Sequence, residues 1–194
     1  MLFFRREAWL SLFAGAAFLG LAPAAVARSL DDAVLAELNY ARAHPAEYAR
    51  ELRRDPDADR SGDRAALEEA IDFLERQAPL PALEGDRRIA AAAREHSRAQ
   101  AGSGAVGHGP AGGLGRRLRE NGVWAGLTAE NISYGSGTAT DVIRQLIIDS
   151  GVPSRGHRQN IFSRGYQLAG VACGPHPQYD VMCVIDFAGA LAAR

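Results

Sequence analysis

Val171-Ala172-Cys173-Gly174-Pro175-His176-Pro177-Gln178-Tyr179-Asp180-Val181-Met182-Cys183-Val184-Ile185 decides how this chain folds. Two apolar runs flank a short segment of turn-forming residues, which is the pattern of a β-hairpin. Val181 to Ile185 is apolar on both faces, so that strand belongs inside a sheet covered on two sides. The strands extend over residues 167–173 and 181–188. A hairpin centred on Gln178 sets Cys173 opposite Cys183, the only two cysteines of the chain. Two cysteines cannot build a Cys-rich zinc site by themselves. A disulfide suits an oxidising compartment, and two reduced thiols packed as small apolar groups are the alternative.

Upstream, helices dominate. Ser29 followed by Asp31 and Asp32 starts one, with Leu30, Val34, Leu38 and Ala41 at helical spacing. Pro45 breaks it and opens a second over residues 46–54. A polar loop over residues 55–63 leads to a further helix over residues 66–77, closed by Pro79 and Pro81. Asp86 caps an Ala-rich helix running to Ala101. Residues 102–115 hold seven glycines and read as loop, followed by a short helix over residues 116–120. Asn131 to Tyr134 reads as extended, and Thr140 as the cap of a helix over residues 141–148. Helices around a small sheet make an α/β or α+β layered domain.

Two bulk features restrict the function. Arg5 and Arg6, an apolar run of 13 residues from Trp9 to Leu21, and Ala25-Val26-Ala27 form a signal-peptide pattern cut after Ala27. A membrane-spanning helix needs about 20 apolar residues, so the run is short for an anchor. Residues 28–194 are then one domain, secreted or periplasmic, with no later membrane span. The chain carries 22 basic and 23 acidic residues, a balance that lacks the basic excess of a nucleic-acid binder.

Three loop-rich segments concentrate polar side chains: the one around His108, Glu130-Asn131, and residues 149–161. Two histidines and two carboxylates brought together suit a divalent metal, zinc above all, or acid–base chemistry. The intervals of 22, 19 and 8 residues between His108, Glu130, Asp149 and His157 match no compact metal motif. His96 reads as packed within its helix, His44 as exposed, and His176, between two prolines, as solvated. Asp55, Asp57, Asp59 and Asp63 suggest a calcium loop, but Arg60 stands where the turn glycine belongs and Ala66 where the bidentate Glu belongs.

Asn39-x-x-Arg42, Gly107-His108, Ala129-Glu130-Asn131-Ile132, Ser154-x-Gly156-His157-Arg158-x-Asn160-Ile161 and the two terminal strands together resemble the CAP superfamily. That group takes in cysteine-rich secretory proteins, antigen 5 and pathogenesis-related proteins, and bacterial SCP-like domains. The resemblance runs over about residues 30–188. It implies a three-layer α-β-α sandwich with an open cleft lined by two His and two acids. His108, Glu130 and His157 match three of these. Asp149 stands near where many relatives carry Glu, with Ser150 beside it, and Leu146 where they carry Trp. The implied supporting residues are Asn131, Ser154, Arg158 and Asn160. Residues 51–80 form an insertion relative to compact bacterial members.

Three functions compete. The first is a cleft that binds a lipid, sterol-like or cell-envelope ligand, with a divalent metal on His108 and His157. The second is a metal-dependent hydrolase of peptide or envelope substrates, with Glu130 and His157 as its catalytic groups. The third is a structural extracellular interaction domain whose tetrad only holds loops together. The absence of an evident nucleophile favours binding over catalysis.

Overall fold

The computed structural model describes residues 29–55, 58 and 61–192. The signal-peptide segment lies outside these residues. Among the described residues eleven elements succeed one another: α1 (Leu30–Ala43), α2 (Pro45–Arg54), α3 (Arg64–Arg76), β1 (Glu84–Gly85), α4 (Arg87–Ser103), α5 (Gly113–Glu120), β2 (Thr128–Tyr134), α6 (Ala139–Ile148), α7 (Gly156–Ile161), β3 (Leu168–His176) and β4 (Asp180–Ala188). The sheet runs β1-β3-β4-β2. β1 pairs parallel with β3, and the other two pairings are antiparallel.

The hairpin forms as its sequence dictates. Cys173 lies opposite Cys183 and His176 opposite Asp180, so the axis passes through Gln178. The cysteines are joined by a disulfide. Alternation along β4 sends Cys183, Ile185 and Phe187 into a core shared with α1, α2, α3, α6 and α7. Val184 and Met182 face α4, and Ala188 meets α4 and α5 residues. Helices therefore cover both faces of the sheet, giving the α-β-α sandwich. α4 approaches β3 closely: a Cβ on Gly170 would lie 2.1 Å from the backbone nitrogen of Ala90. Only glycine leaves room for that crossing.

The helix signals hold with small shifts. Ser29 and Asp86 cap α1 and α4 through their side chains. The cap of α6 is Thr138, not Thr140, because its hydroxyl accepts from Asp141 N–H. The glycine-rich loop is shorter than expected. α4 runs to Ser103 and stops on left-handed Gly104, while α5 already begins at Gly113. Gly113 and Gly115 are thus helical: Gly113 is buried, with no side chain to displace. β1 and α7 carry no clear signal of their own, since two residues and six residues are too short for periodicity. Asn39 and Arg42 tie α1 to later parts of the chain. Asn39 exchanges two hydrogen bonds with the Leu83 backbone. Buried Arg42 donates to the carbonyls of Pro81, Ile161 and Ser163.

Among the described residues no helix is long and apolar enough to cross a membrane.

Candidate functional site

The edge strand β2 gathers the site. Alternation puts Glu130 and Ile132 on the α4 side of the sheet and Asn131 and Ser133 on the other. Glu130 Oε1 lies 2.9 Å from His108 Nδ1. His108 is presented by a loop that turns at Gly107 and Gly109, both at positive φ. Its side chain is 57% exposed, whereas that of Glu130 is 3% exposed. On the other flank, Asp149 ends α6 in the left-handed conformation, φ 57°. One of its carboxylate oxygens stands 2.6 Å from His157 Nδ1, and the other accepts the His157 backbone N–H at 2.9 Å. The two imidazoles face each other with centroids 6.5 Å apart.

His108 pairs with Glu130 and His157 with Asp149, so the four stand as two neighbouring His–acid pairs. Among the described residues no group of three or more His, Cys, Asp or Glu is arranged to hold a metal ion. Each imidazole turns Nδ1 to a carboxylate, so in its neutral form it carries its proton on Nδ1 and keeps the lone pair on Nε2. A carboxylate behind a histidine is the arrangement that orients a metal-binding imidazole. The ring nitrogens that could take a cation are therefore Nε2 of His108 and Nε2 of His157, with Glu130 and Asp149 behind them.

Burial works to raise the Glu130 carboxyl, but His108 and the Arg117 guanidinium outweigh it and hold it below its ordinary value. The hydrogen bond that His108 donates to Glu130 raises the imidazole above its ordinary value, against its partial burial. Arg117, from α5, is itself buried and pairs with the second oxygen of Glu130. Asp186 lies opposite Glu130 on β4. It has no exposed surface, and burial together with the charge of Glu130 pushes its carboxyl well above the ordinary value. One guanidinium faces two acids here, so Asp186 is the neutral one. Sequence reasoning missed Arg117 and Asp186. An acid inside an apolar central strand was the available signal for Asp186; nothing in the sequence marked Arg117.

The supporting residues brace α7. Asn131 donates to the His157 carbonyl at 2.9 Å and accepts from Asn160 at 2.8 Å. Buried Arg158 donates to the carbonyls of Ile147 and Ile148 and to Glu69 of α3. Glu69 also pairs with Arg155, so α3 holds the His157 segment. Ser154 is exposed and contributes its carbonyl, which accepts from Gln159. Ser150 points away to Asp63, which caps α3. Asp63 is thereby engaged, Asp55 pairs with Arg144, and Asp57 and Asp59 lie outside the described residues.

His44 is exposed and His96 is packed, its Nε2 3.0 Å from the Gly107 carbonyl. His176 is not solvated as expected. It is buried, with Nε2 3.0 Å from the Ala105 carbonyl, because the hairpin turn folds back against the His108 loop. Beside His157 and Asp149 opens a cavity of about 350 Å³. Its apolar wall includes Ile132, Leu146 and Ile148, and its polar wall Ser136, Arg144 and Gln145.

Helices on both faces of a small sheet, with two His–acid pairs at its edge, define the class of protein. The chain belongs to the cysteine-rich secretory protein family, whose CAP model matches residues 35–187. No curated protein matches it in sequence. Among solved structures, it is similar to an SCP-domain extracellular protein of Bacillus anthracis at 23% identity and TM-score 0.49, covering 70% of this chain and 44% of that one. It is also similar to an outer surface protein of Borrelia burgdorferi, at 15% identity and TM-score 0.49 over 79% of this chain and 92% of the other. A Staphylococcus aureus cysteine-rich secretory protein matches at 18% identity and TM-score 0.43 over 65% and 38%. The chain thus spans less than half the length of the first of these proteins.

Proposed function

We propose that this protein is an exported cleft-binding protein. It takes a lipid, sterol-like or cell-envelope ligand beside a divalent cation, zinc, held by Nε2 of His108 and His157. The observation that carries this reading is the pairing of each imidazole Nδ1 with its own carboxylate, beside a cavity of about 350 Å³. Ligand cavities begin at about 300 Å³. Export is supported by the signal-peptide pattern and by the disulfide. Membership of a family described as secretory points the same way.

The hydrolase reading is weaker. Glu130 has one oxygen on His108 and the other on Arg117, so neither is left to activate a water. The structural reading predicts only stability effects from tetrad changes. Zinc titration by calorimetry of the mature protein, His108→Ala and His157→Ala tests the metal half. Unchanged affinity in both variants sinks it. Mass spectrometry of organic extracts of the purified protein tests the ligand half, which fails if no lipid is carried and none binds at micromolar concentration.

A further inference from the structure

We propose that Tyr134 is the positioning residue for His108, its hydroxyl clamping the loop that carries the histidine to the cleft edge. The inference rests on the reading of His108 and His157 as the metal-holding pair. Tyr134 is the last residue of β2 and one of the residues lining the cavity beside His157. Its hydroxyl accepts the Gly107 backbone N–H at 2.9 Å and donates to the Gln100 side-chain carbonyl at 2.6 Å. Gln100 in turn donates to the Gly107 carbonyl, against which His96 Nε2 also stands at 3.0 Å. Both backbone polar groups of the residue before His108 are therefore taken by side chains.

Beyond these bonds the loop is held by His176, at the Ala105 carbonyl two residues earlier. Gly107 sits at φ 85°, and a Cβ there would meet no atom within 4 Å. His108 itself is mostly exposed, so packing does not set its direction. Its direction comes from the backbone it hangs from and from its bond to Glu130. Burial pushes the Tyr134 phenol up, which keeps it protonated and able to donate. The ring is held in turn against His176 and Tyr179, with centroids 5.3 and 5.2 Å away. One residue thus joins the cavity wall on the His157 side to the loop of the other histidine.

The test compares wild type, Tyr134→Phe, Gln100→Leu and a Tyr179→Phe control, each as mature protein. Tyr134→Phe keeps the ring and removes only the clamp. Amide hydrogen exchange at Gly107 should quicken about 10-fold or more, and zinc affinity should fall about 10-fold, the lower end for losing support behind a metal ligand. The thermal midpoint should move by no more than a few degrees, about what 1 kcal/mol produces. Gln100→Leu should give the same pair of changes and Tyr179→Phe neither. Unchanged Gly107 exchange in Tyr134→Phe overturns the clamp. Faster exchange with unchanged zinc affinity overturns the positioning role. A wild type that binds no zinc overturns the metal reading and the positioning of a metal ligand together, while Gly107 exchange still decides the clamp.

Discussion

Asp186 concentrates the electrostatic tension of the site. Its carboxyl is fully enclosed, it faces Glu130 across the strand pair, and Arg117 can neutralise only one of them. Because its folded value lies above that of the unfolded chain, its favourable contribution is complete below about pH 4 and lost as pH rises towards the folded value. Asp186→Asn removes the titration while keeping the shape. Chemical denaturation should show the variant gaining on wild type as pH rises from 4 to 8, by more than about 1 kcal/mol, since a tenfold change in proton affinity is worth about 1.4 kcal/mol. A difference that stays flat over this range contradicts the neutral assignment. His108 carries the opposite kind of marker. Glu130 raises it, so Glu130→Gln should bring its NMR titration midpoint down. Linkage gives the sign: while Glu130 is ionised, the His108–Glu130 contact stabilises fully below the ordinary imidazole value and fades as pH rises through the folded one.

At the scale of elements, short helix α7 depends on borrowed contacts. Six residues cannot hold a helix in water. Asp149 caps its first turn from the end of α6, Asn131 holds a carbonyl from β2, and Arg158 reaches back to α6 and α3. Asp149→Ala should cost about 1–2 kcal/mol, as a lost helix cap does, and weaken zinc binding as well. Asp149→Asn tolerates the left-handed backbone and can still accept the His157 N–H, so most stability should remain while zinc affinity falls. Denaturation and calorimetry on the two variants separate the cap from the imidazole support. The α4–β3 crossing is less forgiving. Gly170→Ala sets a methyl against α4 backbone, where no side chain can rotate away. A destabilisation of about 3 kcal/mol or more, measured by denaturation, is the expected outcome.

For the whole molecule, the disulfide and the two-layered helix cover act together. Cys173 and Cys183 close the hairpin at the centre of the sheet, and Cys183 is buried. Reduction should lower stability by about 2–3 kcal/mol, the range for closing a loop of this size. Denaturation with and without reductant measures it, and an equal midpoint under both conditions contradicts the assignment. Helix α3 serves both core and site: its Leu67, Ile71 and Leu74 enter the main core while its Glu69 holds Arg155 and Arg158. Removing it would therefore loosen the His157 side of the cleft as well as the core.

Local rules already determined the hairpin axis at Gln178, the placement of Cys173 opposite Cys183, and the capped helices α1 and α4. Each rests on contacts between near neighbours, which spacing and turn chemistry report directly. The family pattern named His108, Glu130 and His157 and left Asp149 a candidate beside Ser150, although their spacing alone could not join them. Only the tertiary structure decided that they form two His–acid pairs. Arg117 became the partner of Glu130, Asp186 its enclosed neighbour, and buried His176 a support of the His108 loop. Those roles come from which strands lie side by side and which helix end reaches them. Such contacts span tens of residues, and no periodicity records them.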